Sequence, residues 1–121
     1  MIKELKITGT NVQEFMASLS RELPNDWQCI ENGTDNSQNI QASRYYKFQH
    51  TKNEKEYLFS FLYNQSDNSC NLANINYFDS GVGAELPHDA YNKLLDDIYT
   101  TIISPKHVSP QIIISIYISE D

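Results

Sequence analysis

The sequence predicts an α+β fold: a single, mainly antiparallel sheet of about six strands with two amphipathic helices packed on one face. Three observations predict this class. Several short segments alternate apolar and polar residues, two longer segments repeat apolar residues at the helical period, and short polar turns separate adjacent strand-like segments. The element order is β-α-β-β-β-β-α-β, and two helices are too few to cover both faces of six strands. At 121 residues, we expect residues 1–121 to form one domain.

The first strand, Ile2–Thr8, leads into an amphipathic helix. Thr10 or Asn11 is expected to cap this helix, because Gln13 or Glu14 follows three residues later, as a capping box requires. The apolar residues of the helix form one stripe, namely Val12, Phe15, Met16, Leu19 and Leu23. The proline that follows Leu23 is expected to end the helix.

The middle of the chain predicts strands and one long loop. Asp26–Glu31 contains the only tryptophan in a short apolar run, which indicates a strand. The almost wholly polar stretch Asn32–Ser43 is predicted to be a long loop, either mobile or functional. Three closely spaced strands then follow as an antiparallel meander: Arg44–His50, Tyr57–Asn64 and Cys70–Phe78. The aromatic row on the middle strand contains no basic residue, which favours core packing over base stacking.

The last third predicts a loop, a helix and a final strand. Asp79–Glu85 is expected to be a flexible connector, and the helix should span roughly His88–Ile103. Its apolar stripe is Tyr91, Leu94, Leu95, Ile98 and Ile102. In Gln111–Ile118, isoleucines recur at every second position, so we expect a strand near the middle of the sheet. Ile112, Ile114, Ile116 and Ile118 should face the core.

Charge and composition exclude some functions. The formal net charge of −7 disfavours nucleic acid and anionic membranes as partners and favours a basic protein. The N-terminus has no apolar signal-like segment, so we expect a cytoplasmic protein. Cys29 and Cys70 are expected to be free thiols, and the three histidines do not have the spacing of metal ligands. No cofactor or metal is therefore predicted.

The candidate partner-binding residues fall in two groups. The first is an acidic segment with a single lysine, Lys93, and its carboxylates are Asp79, Glu85, Asp89, Asp96 and Asp97. Such a segment can steer a basic partner. The second group is Ser115 and Tyr117, which the alternation of the last strand places on the sheet face that no helix covers. Tyrosine tolerates both water and burial and is enriched at interfaces.

Three functions remain open from the sequence. The first is a small acidic inhibitor, such as a bacterial immunity protein or antitoxin, that occludes the active site of a basic toxin, for example a nuclease. The second is a small ligand-binding or regulatory domain that forms a homodimer through the open sheet face. The third is a small enzyme that uses His88 and Asp89. We favour the first and expect no catalytic residue, because no motif in the chain specifies a reaction.

Overall fold

The structure, a computed structural model, describes residues 2–35 and 43–118. Seven strands and two α-helices follow one another in the described parts: β1 Lys3–Gly9, α1 Val12–Arg21, β2 Trp27–Asp35, β3 Ser43–Lys52, β4 Lys55–Asn64, β5 Ser69–Asp79, β6 Val82–Ala84, α2 His88–Ile98 and β7 Ile112–Ile118. A π-helical turn, Tyr99–Ile103, and a 3-10 turn, Ser104–Lys106, continue α2 toward β7. The predicted α+β class is confirmed.

All the strand pairs in the described residues are antiparallel, in the order β2-β3-β4-β5-β1-β7, with β6 attached to β5. The last strand therefore lies at an edge and pairs only with β1. Our prediction that it lies near the middle of the sheet is wrong. Its β-branched alternation is correct for a strand, but the pairing partner decides the position within the sheet.

Both helices pack on the same face of the sheet. Buried side chains of α1 and α2 join those of the strands in one core cluster, to which Leu5, Phe48 and Phe61 also belong. The predicted helix stripes are confirmed: Val12, Met16, Leu19, Leu94, Leu95, Ile98 and Ile102 are buried, and Phe15, Leu23 and Tyr91 are partly buried against them. The aromatic row of β4 also packs in the core, as predicted, with Phe59 and Phe61 fully buried.

The final strand contributes less to this core than predicted. Ile112 is buried and Ile114 is half-buried, but Ile116 and Ile118 are 36% and 52% exposed. All four lie on the helix-covered face, because Ile114 and Ile116 are paired with the buried Ile7 and Leu5 of β1. At this edge the helix layer ends before the sheet does.

Several predicted boundaries are corrected. Strand β2 extends to Asp35, so the first part of the predicted loop Asn32–Ser43 pairs with β3, and residues 36–42 lie outside the described residues. An antiparallel neighbour supplies backbone hydrogen bonds whatever the side-chain polarity, which is why a polar segment can extend a strand. The predicted flexible connector Asp79–Glu85 contains β6, paired with β5. Asn11 does precede α1, but its side chain makes no capping hydrogen bond.

A β-bulge changes the predicted faces of β5. Ser60 pairs with Asn74 and Phe61 with Leu72, so Ala73 is the extra residue on β5. Leu72 consequently shares the core face with Ile75, whereas regular alternation along the predicted strand Cys70–Phe78 places residues three apart on opposite faces. Alternation in the sequence cannot reveal such an insertion.

Candidate functional site

A groove of about 570 Å³ lies where β5, β6 and the beginning of α2 meet. Strand β1 pairs with β5 only near Cys70 and Asn71, and β6 pairs with it only from Tyr77 to Asp79. The edge of β5 between these two neighbours is open, and the groove lies there. The lining residues are Ile75, Asn76, Tyr77, Phe78, Gly83, Ala84, Glu85, Leu86 and Tyr91. Three of them are aromatic and half-buried, which is the kind of side chain that anchors a protein partner.

One of the predicted acidic residues lines this groove, and two others lie close in sequence to its lining residues. Glu85 lines it directly, Asp79 follows the lining residue Phe78, and Asp89 lies two residues before Tyr91 in the first turn of α2. All three are exposed, and within residues 2–35 and 43–118 they form no ion pair. Their charges are therefore available to a basic partner.

The other two predicted carboxylates are occupied. Lys3 Nζ lies 2.9 Å from one carboxylate oxygen of Asp96 and 3.0 Å from the other. Lys93 Nζ lies 4.0 Å from a carboxylate oxygen of Asp97. Both aspartates are half-buried. The tertiary contact between the start of β1 and α2 brings Lys3 to Asp96 across 93 positions of sequence, a pairing that local spacing cannot predict.

Asp97 lies in basic surroundings. It lines a cleft of about 270 Å³ together with Lys52, Lys55 and Lys93, and His50 also contributes to the wall. The acidic segment defined from the sequence is thus divided by the fold. Among the described residues, Asp79, Glu85 and Asp89 form no ion pair, whereas Asp96 and Asp97, farther along α2, pair with lysines.

Ser115 and Tyr117 do lie on the sheet face opposite the helices, because they pair with Lys6 and Glu4 of β1. Both are exposed. The Tyr117 hydroxyl donates a hydrogen bond to the Glu4 carboxylate, and this bond, with the negative charge, raises the pKa of Tyr117. The two residues are far along the sheet order from the β3–β4 part of this face.

That β3–β4 part of the open face is polar and internally bonded. The Gln49 amide group donates to Glu56 and accepts from Gln28, while the Tyr45 hydroxyl donates to Glu31 over 2.8 Å. Lys47 Nζ lies 3.6 Å from the same Glu31 carboxylate group. Such a network is typical of a face that meets water. It gives less support than we expected to a homodimer through the centre of this face.

Two of the three histidines, His50 and His107, make hydrogen-bond or stacking contacts within the fold. His50 stacks on Trp27 with ring centroids 3.8 Å apart, and its Nδ1 lies 2.9 Å from the backbone oxygen of Asp26. His107 Nε2 lies 2.6 Å from the backbone oxygen of Ile112. His88 is exposed at the start of α2 and lines neither the groove nor the lysine-rich cleft. Within the described residues, no group of three His, Cys, Asp or Glu side chains is arranged to hold a metal ion.

Both cysteines are free, as predicted. Cys70 is fully buried, and burial raises the pKa of its thiol to about 12. Cys29 is half-buried in β2. A thiol that stays protonated is a poor nucleophile, so Cys70 is structural.

Two features of the fold are not predicted from the sequence. The first is the groove with its aromatic residues Tyr77, Phe78 and Tyr91, and the sequence signal for it is that Tyr77 and Phe78 directly precede the acidic connector. The second feature is a cavity of about 580 Å³ beside α1, lined by Arg44, Tyr46 and Tyr63 among others. The Arg44 Nε atom is buried there without a hydrogen-bond partner among the described residues.

Comparisons with known proteins identify no relative. No protein-family model, curated protein or solved structure matches this chain. Among the described helices, none has the length and apolar character needed to cross a membrane.

Proposed function

We propose that this chain is a small acidic protein-binding inhibitor, of the immunity-protein or antitoxin type, which neutralises a basic toxin in the cytoplasm by covering its active site. One observation supports the proposal: the exposed carboxylate of Glu85 lines a groove together with half-buried aromatic side chains. Asp79 and Asp89 are also exposed and lie within two residues of the lining in the chain, and among the described residues none of the three forms an ion pair. Aromatic anchors inside a polar, charged border are the usual composition of a protein-binding hot spot.

The chemistry of the groove defines the partner. A basic segment, rich in lysine or arginine, would bring its cations to Asp79, Glu85 and Asp89 and place its apolar parts against Tyr77 and Tyr91. Arginine fits best, because its guanidinium group both pairs with carboxylates and stacks on aromatic rings. A nuclease is one such partner, since its substrate groove must be positive to hold phosphates.

The charge on the rest of the chain would assist the encounter. With a net charge of −7, the chain attracts a positive surface before contact, which raises the association rate at low salt. The exposed carboxylates near the groove would then determine the orientation of the complex. Affinity should therefore fall steeply as the salt concentration rises.

The test begins with capture of the partner from cells of the native host and purification of the captured protein. Glu85→Lys with Asp89→Lys should weaken binding at least tenfold and abolish inhibition of the captured protein. The control is Glu14→Lys with Glu22→Lys, which changes two exposed carboxylates on α1 and just after its end. Both pairs raise the net charge by four, from −7 to −3, so they separate local contacts from overall charge. Glu22 forms a surface ion pair with Lys106, so circular dichroism must show that the control variant stays folded.

Two outcomes count against the proposal. If the groove pair binds as tightly as the control pair, the groove is not the binding surface. If the purified partner binds but keeps full activity, the inhibitory role is wrong. Tyr91→Ala gives a second readout, because loss of an aromatic anchor should weaken binding by a similar factor without changing charge.

A further inference from the structure

Strand β7 exposes an unpaired backbone edge, and its hydrogen-bond directions can be deduced. The Thr10 amide donates to the Gln111 oxygen over 3.0 Å, so Gln111 faces β1. Ile112 faces the other way, because its amide donates to Ser109 over 3.3 Å and its oxygen lies 2.6 Å from His107 Nε2. Both backbone groups of a strand residue point to the same edge, and the direction alternates along the strand.

It follows that Ile114, Ile116 and Ile118 direct their backbone N–H and C=O groups to the open edge. In the part of the chain that the structure describes, β7 pairs with β1 alone. These three residues therefore present six backbone groups that have no partner within residues 2–35 and 43–118. The backbone N–H and C=O groups of Ile112 already have partners in Ser109 and His107, so the free edge begins after Ile112.

The edge lacks the usual protection against strand pairing. Natural edge strands carry a charge, a proline or a bulge. Gln111–Ile118 contains no charged residue and no proline, and the register of β7 on β1 is continuous over seven pairs. The opposite edge, β2, is protected in the usual way, with an irregularity between Cys29 and Glu31 and an acidic side chain at Glu31.

Apart from Ser115, the side chains of β7 are aliphatic or aromatic on both faces. Ile116 and Ile118 are exposed on the helix side, and Ile113 and Tyr117 are 55% and 45% exposed on the open face. These four account for half of the eight large apolar side chains that are exposed among the described residues. A strand that is both unpaired and apolar on two faces is a surface that a second strand would cover.

We propose that a second copy of this chain pairs with β7 in an antiparallel fashion, forming a homodimer with a continuous sheet. The twofold axis is normal to the sheet and passes midway between the two copies of Ile116, so Ile116 pairs with Ile116 of the second copy and Ile114 pairs with Ile118. This register engages all three outward residues of both chains and forms six backbone hydrogen bonds. A register shifted by one pair toward the start of β7 would have to use Ile112, whose backbone groups are occupied.

Charge and symmetry identify the second copy as the occupant. Two chains with a net charge of −7 repel each other, and β7 is an edge without charged side chains at which they can approach. In the neighbouring strand β1, Lys6 offsets the charge of Glu4 and Lys3 pairs with Asp96, so this border has no surplus of negative charge. An antiparallel strand pair is also self-complementary under a twofold axis, as an isologous interface requires.

The dimer is separate from the proposed inhibitory function, because β7 does not line the groove at β5, β6 and α2. The axis normal to the sheet keeps the helices of both copies on the same side. Ile116 and Ile118 of each chain then extend the apolar layer across the junction. Failure of one proposal leaves the other unaffected.

Sedimentation at high micromolar concentration tests the proposal first. The wild-type chain should sediment with twice its mass of 14.0 kDa, and Ile116→Lys should sediment as a monomer with unchanged circular dichroism. The matched control is Ile30→Lys, the same substitution at an isoleucine 47% exposed on the opposite edge strand, which should remain dimeric. A monomeric wild type, or a dimeric Ile116→Lys variant, would overturn the proposal.

Disulfide cross-linking tests the register, with Cys29→Ser as the background. Opposed residues of a hydrogen-bonded antiparallel pair lie about 5.5 Å apart at Cα, within the range of a disulfide, so Ile116→Cys should cross-link on mild oxidation. Ile113→Cys is more exposed but should not, because its two copies would lie roughly 20 Å apart in this register. Cross-linking of Ile113→Cys instead of Ile116→Cys would overturn edge pairing and indicate contact through the open face.

Discussion

Gly9 shows how a single residue joins three parts of the molecule. It ends β1 with φ of +121°, pairs with Ile112 at the start of β7, and its backbone oxygen accepts a hydrogen bond from the Asn68 side chain in the β4–β5 turn. A Cβ atom on Gly9 would lie 1.9 Å from the backbone oxygen of Gln111. The position therefore needs glycine for two reasons, its backbone angle and the close approach of another backbone.

Substitution of Gly9 should separate these two reasons. We expect Gly9→Ala to lower the free energy of unfolding by more than about 2 kcal/mol, because strain at positive φ adds to the clash with Gln111. The control, Gly81→Ala, also has positive φ (+83°) but has no atom within 4 Å of its Cβ position, so it should lose only about 1 kcal/mol. Urea denaturation measures both values, and equal losses would show that the clash is relieved at no cost.

At the scale of elements, the β3–β4 and β5–β6 hairpins have the same kind of turn. Asn53 and Glu54 have φ of 52° and 66°, and Ser80 and Gly81 have φ of 52° and 83°. Two consecutive positive φ angles are the signature of the two-residue type I′ turn, whose twist matches that of the flanking strands. Glu54 is unsuited to this conformation, since a long L side chain is strained at positive φ.

Replacement of Glu54 should therefore stabilise the protein. We expect Glu54→Gly to raise the free energy of unfolding by about 0.5–1 kcal/mol, because the Asn-Gly pair is preferred in this turn. Lys55→Gly is the matched control, since it places glycine at the next, exposed position within a strand, where it should destabilise by a similar amount. Thermal unfolding of the two variants gives the comparison. A loss of stability in Glu54→Gly would mean that its long contact with Ser80, 3.3 Å between oxygens, outweighs the strain.

The elements also show where sequence patterns succeed. Helical period predicted the buried stripes of α1 and α2 because one side of a helix must face the core wherever the helix lies. The regular alternation of residues between the two faces does not hold along β5, because the extra residue Ala73 turns Leu72 to the other face. Alternation also does not reveal that β7 pairs with a single strand among the described residues, because alternation reflects the two faces of a strand and not its edges.

For the whole molecule, burial of ionisable groups makes stability depend on alkaline pH. Burial raises the pKa of the Cys70 thiol from 9.0 to about 12, and burial also raises the pKa of the Tyr46 and Tyr91 hydroxyls. Above pH 9.0 the unfolded chain releases the Cys70 proton and the folded chain retains it. The unfolded state then binds fewer protons, so stability is complete below this pH and falls as the pH rises toward 12.

We expect the Cys70→Ala variant to reveal this contribution. Between pH 9.0 and about 12 the wild-type free energy of unfolding should fall faster than that of the variant, by about 1.4 kcal/mol per pH unit. Both proteins share the tyrosine contribution, so the difference between them isolates the thiol. Urea denaturation across this range provides the measurement, and parallel pH profiles would contradict a buried, protonated Cys70.

The sequence by itself determined the α+β class, the apolar side of both helices, the aromatic core row of β4 and the surplus of negative charge. These properties follow from local periodicity and composition, which survive in any arrangement of the elements. Only the tertiary structure decided that β7 lies at an edge, that Lys3 neutralises Asp96 and that Glu85 lines an aromatic groove without an ion pair to any described residue. The reason is that strand order, ion pairing and grooves arise from contacts between residues distant in sequence, and local spacing does not record those contacts.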